Sequence, residues 1–141
     1  YIERRTGISI PDIFRHLGEE AFRRMEKEAV RELVGKDYLV LSLGGGTFMD
    51  PERQKALLGR GPAVALWASP ETILERAMRK PGERPLLQVE NPLERIRTLL
   101  EARAPIYRKV HIHVSTDGRR VEEVVEEIVE KLWRHAEARG A

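Results

Sequence analysis

Cysteine is absent from this 141-residue chain, which removes disulfides and thiolate metal sites from consideration and fits a reducing compartment. No apolar run is long enough to span a bilayer and no signal-peptide pattern is present, so the sequence reads as soluble, intracellular and cytoplasmic. A basic stripe is missing too: acids are interleaved with bases throughout and the formal charge is only +2. That pattern argues against a nucleic-acid partner. No exposed apolar stripe is evident, so a monomer is the expected state. An initiator Met is also lacking, and a chain that opens on Tyr1 predicts that residues upstream were cut, omitted or left out.

What the chain does contain suits one compact domain over residues 1–141: the hydrophobic share is 41%, enough for a sizeable core, and there is no low-complexity tract. Its cations are strongly biased, with 19 arginines against 6 lysines. Arginine is the side chain that grips carboxylates and phosphates bidentately. For most of the nineteen, an arginine-rich proteome or a heat-adapted surface is explanation enough.

The most informative stretch is Val40-Leu41-Ser42-Leu43-Gly44-Gly45-Gly46. A row of β-formers that stops at three glycines reads as a buried strand opening into a bare backbone turn, where amides can approach a ligand without Cβ interference. Open α/β sheets place their ligands at such strand ends. A purely structural turn accounts for the glycines equally well when they are taken alone.

Along the chain, helices and strands alternate. Ser9-Ile10-Pro11-Asp12 predicts a helix start with Ser9 as N-cap, and a longer helix follows Gly18 and stops at Gly35. Strands are expected at Tyr38–Leu43, Ala63–Trp67 and Val110–Ser115, the last turned at Asp117-Gly118. Asp50-Pro51 opens a helix running to Gly59, Ser69-Pro70 opens the next, and Asn91-Pro92 opens one that Pro105 ends. The closing helix sets Val121, Val124, Val125, Ile128, Val129, Leu132 and Trp133 on one stripe, read as core. Strands separated by helices of this length imply right-handed crossovers and a mainly parallel sheet, hence an α/β fold. Lys80-Pro81-Gly82-Glu83-Arg84-Pro85 interrupts the rhythm, since two prolines and a glycine forbid a continuous helix. It is either an exposed connection or a stiff lid, over 79–90, that brings Arg84 onto a bound anion.

At this point the chain resembles the shikimate kinases. The residues that carry the likeness are Ile2-Glu3 with Arg5-Thr6-Gly7, Ser9-Ile10 with Asp12-Ile13-Phe14, and Gly18-Glu19 with Phe22-Arg23 and Glu26. They continue through Leu41–Gly46, Arg84-Pro85-Leu86-Leu87 and Arg103-Ala104-Pro105-Ile106-Tyr107, in the family's order and over nearly the whole chain. The resemblance implies a three-layer P-loop kinase fold that moves the γ-phosphoryl of ATP, with Mg²⁺, onto the 3-hydroxyl of shikimate, on the route to chorismate and the aromatic amino acids.

It also implies a site. Arg23 and Arg103 match the pair that clamps the substrate carboxylate, and Glu26, one turn after Arg23, is placed to hold its guanidinium. Gly44, Gly45 and Gly46 form the turn whose amides face the ring, Phe14 and Phe22 match apolar pocket walls, and residues 1–35 supply the substrate-binding helices. Without the resemblance, both phenylalanines would read as ordinary core. Ser42 matches a Walker-B-like position that reaches Mg²⁺ through water. Arg84 matches the lid arginine on the transferring phosphate. Arg76 or Arg79, with the region Asp117–Arg120 and so Arg119 and Arg120, are the candidates for the adenine side.

The departures from the family pattern are as plain as the matches. The phosphate cradle G-x-x-G-x-G-K-S/T is not in this sequence, nor is the Asp-x-Asp that precedes the Ile-Glu matched by Ile2-Glu3. The chain is therefore expected to be the larger part of a kinase with an N-terminal strand-helix-strand, on the order of thirty to forty residues, not included, and to be inactive alone. The competing readings are a related P-loop small-molecule kinase of the gluconate kinase type and a non-catalytic kinase-like remnant.

Overall fold

A computed structural model describes residues 1–79 and 89–140. The elements run α1 (Ile2–Thr6), α2 (Ile10–Leu33), a 3-10 turn (Thr47–Met49), α3 (Pro51–Leu58), β1 (Val64–Trp67), α4 (Pro70–Met78), α5 (Pro92–Tyr107), β2 (Ile112–Ser115) and α6 (Val121–Ala138). Among the described residues no helix is long and apolar enough to cross a membrane.

Three helix starts follow directly from the sequence. Ser9 accepts from the Asp12 amide at 3.3 Å, Asp50 from the Arg53 amide at 3.0 Å and Ser69 from the Thr72 amide at 3.2 Å. Each satisfies a backbone donor that the first turn leaves without a partner, and each is followed by a proline in the first turn, where no amide is needed. α2 is two helices joined at a kink: Gly18 sits at φ 86°, ψ 167°, a conformation open only to glycine, and the helix ends at Leu33, just ahead of Gly35.

The sheet is a parallel pair, with Val64 opposite Ile112 and Trp67 opposite Ser115. Its two faces are covered by different helices, as period-two side-chain alternation requires. On one side Ile112, Val114 and Val64 meet Val124, Ile128 and Leu132 of α6. On the other, Ala65, Val110 and Trp67 meet Phe48, Leu57, Leu58, Ile106 and Tyr107, contributed by the 3-10 turn, α3 and α5. The result is α/β, with helices on both faces of parallel strands.

Three expectations need correcting. Tyr38–Leu43 is not a strand. Tyr38 stands at φ 53°, outside the β region, and the segment has no strand partner among the described residues; Val40 is 97% exposed. A strand without a ladder leaves its amides and carbonyls to water and gains nothing from being extended. The α6 stripe is core along one side only: Val124 is buried, whereas Val121, Val125, Val129 and Trp133 are exposed, Trp133 to 71%. The stripe is wider than the two-stranded sheet it covers, so an exposed apolar stripe is present, contrary to the expectation on which a monomer was inferred. Finally, Pro105 does not end α5, which runs on to Tyr107. Only the residue-105 donor is lost, in the last turn, and the carbonyl it would have served belongs to exposed Glu101.

The Gly18 kink gives a direct test. Gly18→Ala forces a side chain into a glycine-only conformation and is expected to cost about 1–3 kcal/mol, read as a lower melting temperature. Gly61→Ala has open space and no left-handed φ, so it should leave the melting temperature near that of the parent; equal losses in both variants would remove the kink's role.

Candidate active site

Beyond the kink, α2 carries Arg23 and Glu26 one turn apart. The Arg23 Nη1 donates to Glu26 Oε1 at 2.6 Å, and Nη2 reaches Glu19 Oε1 at 3.3 Å. Glu26 is only 5% exposed, and its second oxygen accepts from the Thr47 hydroxyl. Burying a carboxylate is tolerated only when it is both paired and hydrogen-bonded, and Glu26 is both. The Arg23 guanidinium lies 5.3 Å from the centroid of the Phe22 ring, which packs at 4.9 Å on Phe14. The two phenylalanines are half-buried and form the apolar wall beneath that cation.

The glycine turn is explained by what presses on it. None of Gly44, Gly45 and Gly46 has a left-handed φ, and Gly46 lies at φ −89°, ψ −13°, which any residue adopts. The requirement is one of space. A Cβ on Gly46 would fall 2.7 Å from Arg23 Nη1 and 2.8 Å from Nη2, and one on Gly45 would fall 2.6 Å from Arg103 Nη1. Two guanidiniums thus occupy the places of two missing side chains on consecutive residues. On Gly44 a Cβ would face Thr47 Oγ1 at 3.4 Å and Glu26 Oε2 at 3.5 Å, in ordinary contact.

Arg103 comes from α5, and so does Tyr107, one turn later on the same face. The Tyr107 hydroxyl donates to the Gly45 carbonyl, fixing the turn from the side opposite α2. Because α5 passes through Pro105 without stopping, both side chains reach Gly45. Burial pushes the Tyr107 phenol above its usual range, against the smaller opposing pull of the Arg103 cation. Arg103 itself has no carboxylate within ion-pair distance among the described residues, where Arg23 has two.

The remaining predicted residues scatter. Ser42 is exposed, two residues ahead of the turn. Arg76 is tied to the end of β2, donating to the Thr116 hydroxyl and carbonyl at 2.8 Å each. Arg79 projects to solvent and pairs with Glu75 of its own helix. Arg119 is engaged by Glu127 at 2.9 Å and by the Ser115 carbonyl at 2.9 Å, and Arg120 by Glu123 at 3.1 Å. Arg84, with residues 80–88 of the 79–90 stretch read as a lid, lies outside the described residues.

Comparison with known proteins then decides the family. The shikimate kinase family model matches residues 1–133. The chain belongs to the shikimate kinase family. Shikimate kinases from two strains of Thermus thermophilus are 98% and 97% identical over all 141 residues, which span 77% of each relative. A Deinococcus radiodurans shikimate kinase is 51% identical over 99% of the chain and 70% of its own length. Among solved structures, the shikimate kinase from Acinetobacter baumannii in complex with shikimate superposes with a TM-score of 0.89 at 37% identity, over 95% of this chain and 75% of that one. The shikimate kinase of Aquifex aeolicus gives 0.80 at 37% identity over 99% and 80%.

Two residues at the glycine turn went unassigned in the sequence. Tyr107 stands at i+4 from Arg103, a spacing that places both on one helix face, but the proline between them reads as a helix end. Thr47 gives no local signal beyond following the glycines.

The raised Tyr107 phenol has a measurable consequence. Its neutral, buried form favours the folded state below pH 10, and that stability is lost as pH rises through the elevated folded value. Difference titration of the parent against Tyr107→Phe, read at the phenolate absorbance band, should show one transition missing from the variant, centred above 10. A missing transition at or below 10 would place the hydroxyl in water instead of on Gly45.

Proposed function

We propose that this chain holds shikimate by its carboxylate between Arg23 and Arg103, and supports ATP-dependent phosphorylation of the 3-hydroxyl. The observation that carries the reading is the pair of guanidiniums seated over Gly45 and Gly46. A carboxylate entering there meets two preorganised forks and backbone amides with no side chain in the way. Arg103 has its donors to offer, and on Arg23 the ligand needs to displace only exposed Glu19, since buried Glu26 keeps its hold on Nη1. Phe14 and Phe22 then face the apolar side of the ring. The gluconate kinase alternative is set aside, because the family model and the relatives cited all belong to the shikimate kinases.

Phosphoryl transfer is chiefly a matter of positioning and charge stabilisation, and the described residues contribute the first. For the nucleotide side, Arg79 is the better candidate for adenine, since Arg76 already spends its guanidinium on Thr116. No cluster of three or more metal-ligating side chains occurs among the described residues, and Ser42 presents one exposed hydroxyl. That donor set fits a hydrated Mg²⁺ carried by the nucleotide phosphates and touched by Ser42 through water. Such an ion would neutralise charge on the phosphates. The cysteine-free composition supports a cytoplasmic location.

Turnover and binding are best measured in the Thermus thermophilus relative that carries this chain at 98% identity, with positions numbered as here. Arg23→Ala or Arg103→Ala removes one charge-assisted hold, roughly 1.5–3 kcal/mol, and should weaken shikimate binding by about one to two decades while ATP binding changes little. Gly46→Ala should act in the same direction and also lower the melting temperature, because the methyl displaces the guanidinium that keeps buried Glu26 paired. Shikimate affinity that is unchanged in both arginine variants would refute the pocket.

A further inference from the structure

We infer that Thr47 is a positioning residue for the Arg23 side of the carboxylate clamp, an inference that rests on the reading of Arg23 given above. Thr47 is 4% exposed and opens the 3-10 turn directly after the glycines. Its amide donates to the Gly44 carbonyl at 3.1 Å, and its hydroxyl donates to the carboxylate of Glu26. Glu26 holds Arg23 at 2.6 Å, and Arg23 in turn lies over Gly46, one residue before Thr47. The contacts therefore close a ring through Gly44, Thr47, Glu26, Arg23 and Gly46. Arg23 is referenced to the same turn that it serves, and Thr47 is the only member of the ring that belongs to the turn and grips the carboxylate with a side chain.

The hydroxyl matters because Glu26 is nearly sealed from water. A buried acceptor that loses its donor finds no ready replacement, and it rotates or draws in water to recover one. Either response moves the oxygen that holds Nη1. A structural threonine of the same shape would tolerate loss of its hydroxyl without any effect specific to the carboxylated substrate.

The test compares Thr47→Val, Thr47→Ser, Arg23→Ala and the Thr47→Val/Arg23→Ala double variant in the Thermus thermophilus relative. Readouts are KM for shikimate, KM for ATP, kcat and melting temperature. Thr47→Val should raise the shikimate KM about tenfold, the equivalent of one hydrogen bond to a charged group, with kcat and the ATP KM within about twofold. Thr47→Ser should restore the parental KM. The double variant should be no worse for shikimate than Arg23→Ala alone, because both changes act through one guanidinium. A parental shikimate KM in Thr47→Val, alongside a raised one in Arg23→Ala, overturns the inference and leaves the clamp standing. A parental KM in Arg23→Ala overturns the clamp itself. Additive losses in the double variant also overturn the inference. Should Thr47→Val fail to fold, Thr47→Ala carries the same expectation and the same refutation.

Discussion

A carboxylate with almost no access to water has to be satisfied at both oxygens, and at Glu26 that demand ties α2 to the 3-10 turn. One oxygen is held from α2 by Arg23 and the other from the 3-10 turn by Thr47. Leaving a buried charge without its partner costs on the order of 3–5 kcal/mol, so the second half of α2 cannot slide along the glycine turn without a large loss. The kink at Gly18 has its use here. It lets the residues after it take the direction that Glu26 needs, while the residues before it follow the Ser9 cap and bury Ile13.

The sheet contributes orientation at low cost in chain length. Two parallel strands of four residues end on the same side, and their carboxyl ends are finished by Thr116, which accepts from Arg76, and by Asp117, which accepts from the Ser69 amide at 3.0 Å. The glycine turn lies against the α5 side, above Phe48, Ile106 and Tyr107. The α6 side is a separate packing problem. Surface ion pairs such as that of Arg97 on α5 with Glu71 on α4 join elements around this core. Each is individually weak; their value lies in networks that span elements, which matter most at high temperature.

Much of this was legible in the sequence because it depends on neighbours. The caps at Ser9, Asp50 and Ser69 are settled within three residues, and the Arg23–Glu26 spacing within one helical turn. Ala63–Trp67 and Val110–Ser115 came through as strands, one residue and two residues longer than found, since both have a partner in each other. What failed was whatever depends on a distant surface. Tyr38–Leu43 has the composition of a strand but no ladder among the described residues, and the α6 stripe has the period of a core helix but only half its width covered. Pro105 reads as a stop because local chemistry says so; the packing of Tyr107 against Gly45 lies 62 residues away in sequence. The reach of Thr47 to Glu26 across 21 residues is equally invisible along the chain.

The glycine turn has a consequence for any attempt to harden this protein. A glycine in ordinary right-handed backbone is the standard target for stabilisation by replacement, since a methyl restricts the unfolded chain and costs the folded one little. Gly46 meets that description in its φ and ψ, but what a methyl would strike is the guanidinium that keeps buried Glu26 paired. A choice made on backbone conformation alone would therefore nominate a residue whose replacement loosens the fold and the pocket together.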